Sequence, residues 1–411
     1  MAGRFLHPLP LGPCRSAIRI FFTHQMLRQV HTKPRRPCYN RLTKQAKQKR
    51  RFTTMNNQWP LDTAVSFDPY AGEPDRDGDQ GYRILEGGKV FFRIKAPNAR
   101  EVAIDQFGNV QLLEKVDEEM WEGTVTFGEG FKYFFLKIDG ADVLNPYLPI
   151  GYGCCRPMNF VDIPVTGENW DELEGIPHGS AARHYYPSAV TGKVESCLVY
   201  LPPRYDAAKK YPVLYLQHGY GENETGWVYQ GHLLRIADQL LSKGDMQEMI
   251  IVMGNGMTQI NFAKSGRMLF PEVLLKDLIP YIESTFNVYT DKWHRAMAGL
   301  SMGSYQTSIV TLSNPELFGY AGVFSGFLRF PRGGEEKHLA LLDDSEKFNE
   351  SFRVFYRAMG TEDQFWGSFA ADDEMLESKN VNMIRRTFPG GHDWSVWRRC
   401  IHDFLPMLFQ E

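Results

Sequence analysis

Short apolar segments alternate with helical segments along the C-terminal half of this chain, and this alternation constrains its fold more than any other feature. The apolar spacing over residues 271–286 predicts a helix, with Pro271 in the first turn, where proline is tolerated. Strands that alternate with helices predict a mainly parallel, doubly wound sheet covered on both faces. Such a sheet carries its working residues on loops at the carboxyl ends of its strands. The predicted buried strands lie at 197–200, 213–216, 250–253, 295–298 and 354–358.

The segment over residues 81–164 has a different pattern. Short runs rich in β-branched and aromatic residues lie at 90–95, 102–104 and 131–138, and glycine or proline punctuates them at turn positions. This spacing predicts a small all-β domain, an antiparallel sandwich. A polar, acidic linker is then expected over 165–184, and the α/β domain over residues 185–411.

The first 54 residues carry an unusual charge. They contain nine Arg, four Lys and no acidic residue. An acid-free, Arg-rich leader is typical of an organellar transit peptide or of a nucleic-acid-binding arm. The alternative is that Met55 is the true start and that residues 1–54 are a misassigned or disordered extension. Residues 55–80 are expected to form an irregular lead-in to the first strand.

Composition excludes several classes of protein. Beyond residue 54 the net charge is near −16, which disfavours binding to nucleic acid. No apolar run reaches the roughly 20 residues that span a bilayer, so no membrane association is expected. The basic stretch lacks the apolar core of a secretory signal, which favours a cytoplasmic location. Six scattered cysteines are too few for a disulfide scaffold and indicate ordinary thiols.

Neither a metal nor a cofactor is expected from the motifs. The chain has no H-E-x-x-H sequence and no pair of C-x-x-C sequences, which are typical of zinc sites. It also lacks the G-x-x-x-x-G-K-[ST] loop that binds phosphates and the three-glycine fingerprint that binds dinucleotides.

One predicted strand ends at a serine between two glycines, in the sequence Gly-Leu-Ser-Met-Gly at 299–303. In a nucleophile elbow the chain reverses so tightly that side chains beside the serine would clash, and Gly299 and Gly303 supply the space. The serine hydroxyl then projects above the sheet, and the Met302 amide points at the developing oxyanion. The context of strand, turn and helix therefore predicts Ser301 as a nucleophile. The alternative is a tight turn with an ordinary surface serine.

A nucleophilic serine needs a base and an acid that orients the base, and in this type of sheet they follow in the order serine, acid, histidine. His392 lies on a glycine-rich loop before the final helix and is the predicted base. His338 lies in a polar stretch and His402 within the closing helix, so neither has this setting.

The acid is predicted at Asp363, which follows the strand at 354–358 and precedes His392. Its neighbour Glu362 is an alternative. The remaining candidates, most of which are expected to be solvated surface carboxylates, are Asp372, Asp373 and Asp393.

The second oxyanion donor is expected on the loop that follows an early strand. The sequence His218-Gly219-Tyr220 occupies that place, and the Tyr220 N–H is the predicted donor. His218 is interpreted as a supporting residue, although a rival base or a metal ligand are alternatives. Aromatic side chains are usually core, but three are candidates for lining a substrate cleft: Trp227, Trp394 and Trp397.

Five stretches, at 211–219, 224–227, 298–303, 318–326 and 391–398, together resemble the esterase D and enterochelin-esterase-like group of α/β-hydrolases. Feruloyl and acetylxylan esterases belong to the same group. The resemblance covers about residues 185–409.

The N-terminal segment carries a resemblance of its own. Its stretches at 92–97, 121–123 and 138–140 are similar to the early-set, immunoglobulin-like module often found ahead of that catalytic domain.

The resemblance implies a serine carboxylesterase without a cofactor, with Ser301 as nucleophile, His392 as base and Asp363 as acid. Many members have glycine where Ser304 stands, and the position of the acid varies within the group. The implied substrates are small-molecule or oligosaccharide esters, foremost feruloyl-type or acetyl esters on plant polysaccharide fragments. A siderophore esterase is the alternative within this class, and a noncatalytic carbohydrate-binding protein on an inert scaffold is the alternative outside it. Homo-oligomer formation is left open.

Overall fold

The computed structural model describes residues 80–168, 170, 173–258, 268–329 and 336–410. The predicted extension over residues 1–54, and all but the last residue of the lead-in over 55–80, lie outside the described residues. None of the helices in the described ranges is both long and apolar enough to cross a membrane. Four of the six cysteines lie in those ranges, and all four are free thiols.

Within the described residues 80–168, ten antiparallel strands form two sheets. This N-terminal part is called the sandwich below. One sheet has the order β1-β2-β6-β5, and the other has the order β4-β3-β7-β10-β9, with β8 paired to β7. The strands are β1 (Gly81–Leu85), β2 (Lys89–Lys95), β3 (Val102–Gln106), β4 (Asn109–Leu112), β5 (Glu114–Lys115), β6 (Met120–Thr126), β7 (Gly130–Ile138), β8 (Ala141–Val143), β9 (Ile150–Gly153) and β10 (Arg156–Ile163).

A single apolar core joins these two sheets. Val90, Phe92 and Ile94 alternate along β2 and are fully buried, because successive side chains of a strand point to opposite faces. They share a core with residues of β3, β6, β7 and β10. The rings of Phe92 and Phe134 meet edge to face across the two sheets, with their centroids 5.4 Å apart. The predicted all-β architecture of this segment is therefore confirmed.

The C-terminal part contains an eight-stranded sheet in the order β11-β12-β14-β13-β15-β16-β17-β18. The pairs β11–β12 and β12–β14 are antiparallel, and every later pair is parallel, which confirms the mainly parallel sheet. The strands are β11 (Ser180–Ser188), β12 (Lys193–Leu201), β13 (Val213–Gln217), β14 (Ile250–Gly254), β15 (Arg295–Leu300), β16 (Tyr320–Phe324), β17 (Val354–Gly360) and β18 (Ile384–Phe388).

Helices cover both faces of this sheet, and separate apolar cores lie on its two sides. The predicted helix over 271–286 is interrupted by a π-helical turn at Leu274–Leu278. The α-helices are α1 (Gly226–Tyr229), α2 (Leu233–Lys243), α3 (Phe270–Val273), α4 (Ile279–Thr285), α5 (Met302–Ser313), α6 (Ser345–Ser351), α7 (Trp366–Ser378) and α8 (Trp394–Phe404), with short 3-10 turns at Lys292–His294, Lys337–Asp343 and Leu405–Met407.

The sheet begins earlier than the sequence pattern indicates. Strand β11 starts at Ser180, five residues before the predicted start of the α/β domain. It is an edge strand paired only with β12, and its burial is mixed because one side is not covered by a neighbouring strand. A half-exposed edge strand lacks the continuous apolar run by which the inner strands are identified.

The two parts of the chain share an extensive interface. Phe131, on β7, is buried in the same core as Trp227 and Trp394 of the C-terminal part. Beside it, the Arg398 guanidinium donates two hydrogen bonds to Asp162 on β10, at 2.9 and 2.7 Å. Burial raises the pKa of Asp162, but the charge of Arg398 and the hydrogen bonds from His232 and Arg398 together hold the pKa well below its usual range. The sandwich therefore packs directly against α8.

Candidate active site

Ser301 lies at the sharp turn between β15 and α5. Its backbone has φ 51° and ψ −113°, a conformation that is strained for a residue with a side chain. A Cβ on Gly299 would come 2.5 Å from the Gly303 carbonyl, and one on Gly303 would come 2.6 Å from the His218 oxygen. Both positions therefore require glycine, and the turn has the geometry of a nucleophile elbow.

Three distant side chains meet at this turn. His392 Nε2 lies 2.9 Å from the Ser301 Oγ, and His392 Nδ1 lies 2.8 Å from Oδ2 of Asp363. Asp363 is buried, and its other oxygen accepts the Phe365 amide at 2.9 Å. A carboxylate in this place accepts the Nδ1–H, which leaves Nε2 free to accept the serine proton. The structure thus brings Ser301, His392 and Asp363 into one hydrogen-bonded relay.

The other carboxylates considered for the acid have different surroundings. Glu362 is exposed to solvent, although it is adjacent to Asp363. Asp372 accepts hydrogen bonds from Arg329 and the Leu328 amide. Asp373 pairs with two arginines, Arg357 and Arg385.

The remaining histidines are also engaged elsewhere. His338 is buried, and its Nε2 lies 2.7 Å from the Leu328 carbonyl oxygen. The ring of His402 packs against Trp170. His392 therefore has a setting that neither of them shares.

The two backbone amides predicted to bind the oxyanion belong to segments that adjoin Ser301. Met302 is the first residue of α5, where an amide has no partner within the helix. Gly219 lies against the elbow, since a Cβ on it would be 3.5 Å from Cβ of Ser301. The next amide, that of Tyr220, follows directly on the same loop. Met302 and Tyr220 remain the predicted oxyanion donors.

His218 holds the loop at residues 218–221 through hydrogen bonds to backbone groups. It is fully buried, its Nδ1 lies 2.8 Å from the Gly219 oxygen, and its Nε2 accepts the Gly256 amide at 2.9 Å. Burial lowers the pKa of His218 to about 4, so the ring is neutral at physiological pH. Because both ring nitrogens bind backbone groups, His218 fixes the loop conformation, in agreement with a supporting role. Within the described ranges, no group of three or more His, Cys, Asp or Glu side chains is arranged to hold a metal ion.

A cleft of about 510 Å³ opens over Ser301 and His392. Its walls come from both parts of the chain. The C-terminal part contributes Tyr220, Glu222 and Trp394 among others. The sandwich contributes residues of the β3–β4 turn, of the segment after β6 and of β7: Gln106, Phe107, Phe127, Phe131, Lys132 and Tyr133. The cleft is thus rich in aromatic side chains and lies at the interface of the two parts.

A family model described as "Putative esterase" matches residues 188–408 of this chain, more than half of its length. The chain belongs to this esterase family. The match includes the elbow, the relay and the loop at Gly219, and it confirms the family that the motifs resemble.

Individual relatives are similar to this chain over different shares of its length. An endo-1,4-beta-xylanase/feruloyl esterase of Xylanibacter ruminicola is 32% identical over 376 residues, which are 85% of this chain and 49% of the relative. This chain therefore spans about half the length of that relative. The solved ferulic acid esterase of Anaeromyces mucronatus is 27% identical, with a TM-score of 0.51, over 57% of this chain and 92% of its own.

A more distant likeness extends further along the chain. The solved enterobactin esterase of Shigella flexneri has a TM-score of 0.60 over 80% of this chain and 96% of its own, at 14% identity. At that identity the likeness concerns the fold alone. It covers more of the chain than the α/β part contains, so it reaches into the N-terminal strands.

The prediction for Trp227 is wrong. Trp227 is 1% exposed, its indole N–H donates to the Gln217 carbonyl at 2.9 Å, and its ring packs in the core against Trp394. Trp394 and Trp397 do line the cleft over Ser301, but they are also almost fully buried. The rings of Trp397 and His392 meet edge to face with their centroids 5.2 Å apart, so Trp397 packs directly against the histidine of the relay. An indole has a large apolar surface, and removing this surface from water favours burial in the core.

Glu222 is a residue of the cleft that no sequence motif indicated. This residue is 7% exposed and lines the cleft beside Gly219. Its Oε1 accepts the Trp394 indole N–H at 2.8 Å, and its Oε2 has no hydrogen-bond partner among the described residues. Burial raises the pKa of Glu222 to about 8. A glutamate in a glycine-rich polar loop carries no sequence signal of burial, since the burial comes from α8.

We expect Glu222 to make the stability of the protein fall as pH rises. The folded protein keeps this proton up to about pH 8, whereas the ordinary pKa is 4.5, so the folded state binds more protons across that window. Its contribution is therefore complete below about pH 4.5 and is lost toward pH 8, by at most about 1.4 kcal/mol per pH unit. Glu222→Gln keeps an acceptor for Trp394 but cannot ionise. Urea unfolding at about pH 5 and about pH 8.5 should show a flatter pH dependence for this variant.

The exposed neighbour of the relay provides the control. Glu362→Gln removes one carboxylate close to the same site, and its unfolding should follow the wild type at both pH values. If Glu222→Gln shows the full pH dependence of the wild type, the carboxyl of Glu222 is not the responsible group.

Proposed function

We propose that this chain is a serine carboxylic ester hydrolase that works through an acyl-enzyme. The relay of Ser301, His392 and Asp363 at the base of an open cleft is the observation that carries the proposal. An inert scaffold with a carbohydrate-binding role has no need of this geometry. The proposed role of Ser301, His392 and Asp363 follows from the hydrogen bonds that link them.

In the proposed reaction His392 takes the proton of the Ser301 hydroxyl while the oxygen attacks the ester carbonyl. The amides of Met302 and Tyr220 hold the resulting oxyanion. His392 then gives the proton to the departing alcohol, and a water molecule repeats the cycle on the acyl-enzyme. Asp363 keeps the imidazole in the correct orientation and stabilises its charged form. Every step uses groups of the chain and water.

For the substrate, we propose feruloyl-type or acetyl esters on plant polysaccharide fragments. The aromatic walls of the cleft suit a flat phenolic acyl group. Support also comes from the similarity to the bifunctional Xylanibacter relative, whose name includes feruloyl esterase. The test is a parallel assay of methyl ferulate, acetylated xylan and a catecholate trilactone. Hydrolysis of methyl ferulate is expected; hydrolysis of the trilactone alone would favour a siderophore esterase, and hydrolysis of none would refute the activity.

The rim of the cleft provides a sharper test of the aromatic substrate. Phe107, at the β3–β4 turn, is 60% exposed, and Tyr220 on the opposite part of the chain is 58% exposed. An aromatic contact of about 0.5–1.5 kcal/mol corresponds to roughly threefold to tenfold in binding. Phe107→Ala should therefore raise KM for methyl ferulate by about that factor and leave kcat for p-nitrophenyl acetate unchanged.

The control variant for Phe107 lies on the same hairpin. Leu112, on β4, is also exposed but does not line the cleft over Ser301. Leu112→Ala should leave both substrates unaffected. Equal KM values for methyl ferulate in Phe107→Ala and the wild type would show that the sandwich rim does not contact the acyl group.

We further propose that the ten-stranded N-terminal part is an early-set, immunoglobulin-like module. Its two antiparallel sheets around one core support this assignment, together with the motifs at 92–97, 121–123 and 138–140. We propose that it forms a domain over 81–164, separate from the α/β domain that begins at Ser180. The intervening stretch is then the linker.

A further inference from the structure

The contact between β7 of the sandwich and the start of α8 lies directly beside the catalytic histidine. Nζ of Lys132 lies 2.6 Å from Oδ2 of Asp393, the residue that follows His392. Both side chains of this ion pair are 27% exposed, so they are largely shielded from water. Lys132 and Asp393 also line the same cleft as Ser301.

The Asp393 side chain also accepts hydrogen bonds from the backbone of α8. As the residue that caps this helix, it accepts the amides of Ser395 and Val396 through Oδ1, at 3.0 and 3.3 Å. Lys132 holds the second oxygen of the same carboxylate. The ion pair therefore fixes the carboxylate, the carboxylate fixes the first turn of α8, and that turn presents His392 to the relay.

The backbone of β7 is held against the same helix. Gly130 lies so close to α8 that a Cβ on it would come 1.9 Å from Oγ of Ser395. One turn further along α8, Arg398 binds Asp162 on β10, the strand that pairs with β7. Two ion pairs and one close backbone approach thus hold α8 against the sandwich at three points.

We propose that Lys132 is a positioning residue for the reaction: through Asp393 it sets the position of His392 relative to Ser301. The sandwich then contributes to the chemical step as well as to the walls of the cleft. This inference rests on the proposed ester hydrolase function.

The test is Lys132→Met, with p-nitrophenyl acetate as a small substrate that occupies little of the cleft. Misplacement of a catalytic group by about 1 Å costs up to about a hundredfold in rate. We therefore expect kcat to fall by about tenfold to a hundredfold while KM changes by less than about twofold. Lys132→Arg, which keeps the charge, should recover most of kcat.

Lys137 provides a matched control on the same strand. It also has a side chain 27% exposed and also pairs with an aspartate, Asp142, but it does not line the cleft. Lys137→Met should keep the kcat of the wild type. Equal kcat values for Lys132→Met and Lys137→Met would overturn the inference, as would a loss in Lys132→Met that appears in KM alone.

Asp393→Asn keeps the test decisive if Lys132→Met fails to fold. Asparagine retains a cap acceptor for α8 and removes the charge that Lys132 binds. Asp393→Asn alone should lower kcat with KM nearly constant, whereas Asp142→Asn, the same change at the partner of the control residue Lys137, should not. Equal kcat values for Asp393→Asn and Asp142→Asn would overturn the inference.

Failure of the hydrolase proposal and failure of the positioning role give different results. If the wild-type protein hydrolyses no ester, or Ser301→Ala is as active as the wild type, the hydrolase proposal itself fails. If the wild type is active through Ser301 and Lys132→Met matches Lys137→Met, the positioning role alone fails.

Discussion

Replacing Ser301 by alanine is expected to lower kcat for ester hydrolysis by roughly a million-fold. The serine, histidine and carboxylate of such a relay act as a unit, so removing the nucleophile abolishes the acyl-enzyme path and not merely one contribution to it. Steady-state assays of wild type and Ser301→Ala on methyl ferulate and p-nitrophenyl acetate measure the effect. The free energy of unfolding should change by less than about 1 kcal/mol, because only one partly exposed hydroxyl is removed.

The control is a serine on the same helix and away from the cleft. Ser313, the last residue of α5, is exposed, and Ser313→Ala should keep the activity of the wild type. Comparable activity in Ser301→Ala and Ser313→Ala would mean that hydrolysis does not pass through the elbow.

Asp363→Asn is expected to lower kcat by about ten-thousandfold. The carboxylate accepts the Nδ1–H of His392 at 2.8 Å, whereas an amide can present its NH2 group and favour the tautomer that cannot take the serine proton. Binding should change little, since Asp363 is buried behind the histidine and does not line the cleft. The expected signature is a large loss in kcat with a nearly constant KM.

Glu362→Gln separates the two candidate acids. Glu362 is exposed and adjacent in sequence, so its loss should leave kcat within about twofold of the wild type. If Glu362→Gln shows the large loss and Asp363→Asn does not, the acid is Glu362, and the relay described above is not the one used.

The elbow could be predicted from sequence because its constraints are local. Gly299 and Gly303 flank Ser301 within five residues, and the clash that each avoids is with a nearby backbone. His392 and Asp363 could be proposed because chain order and strand ends restrict where such groups lie in a parallel sheet. Their 29-residue separation, by contrast, says nothing of the distance between their side chains.

Three strands of the large sheet were not predicted, namely the edge strand β11 and, for different reasons, β16 and β18. β16 is fully buried, but it is only five residues long and contains small residues that give no strong strand signal. β18, at the other edge of the sheet, carries Arg385, Arg386 and Thr387 on exposed positions. The sequence of such an edge strand resembles that of a loop, because it lacks the alternation of apolar and polar residues by which strands are identified.

The contacts between the two parts of the chain were beyond the reach of sequence patterns. Lys132 and Asp393 are 261 residues apart, and neither residue lies in a recognisable motif with the other. Trp227 failed for a related reason, since its burial depends on Trp394 and the rest of the core around it. Glu222 was missed because α8 covers it. Tertiary packing decides all three.

The central claim is that Ser301 is the nucleophile of an acyl-transfer reaction, and covalent trapping tests it most directly. The folded protein is treated with a phosphonate ester that releases p-nitrophenol, and the modified residue is located by peptide mass spectrometry. We expect one phosphonyl group per chain on Ser301, formed together with the loss of ester hydrolysis, and none in Ser301→Ala. Full inactivation with the label on another residue, or persistent hydrolysis by a chain fully labelled at Ser301, would contradict it.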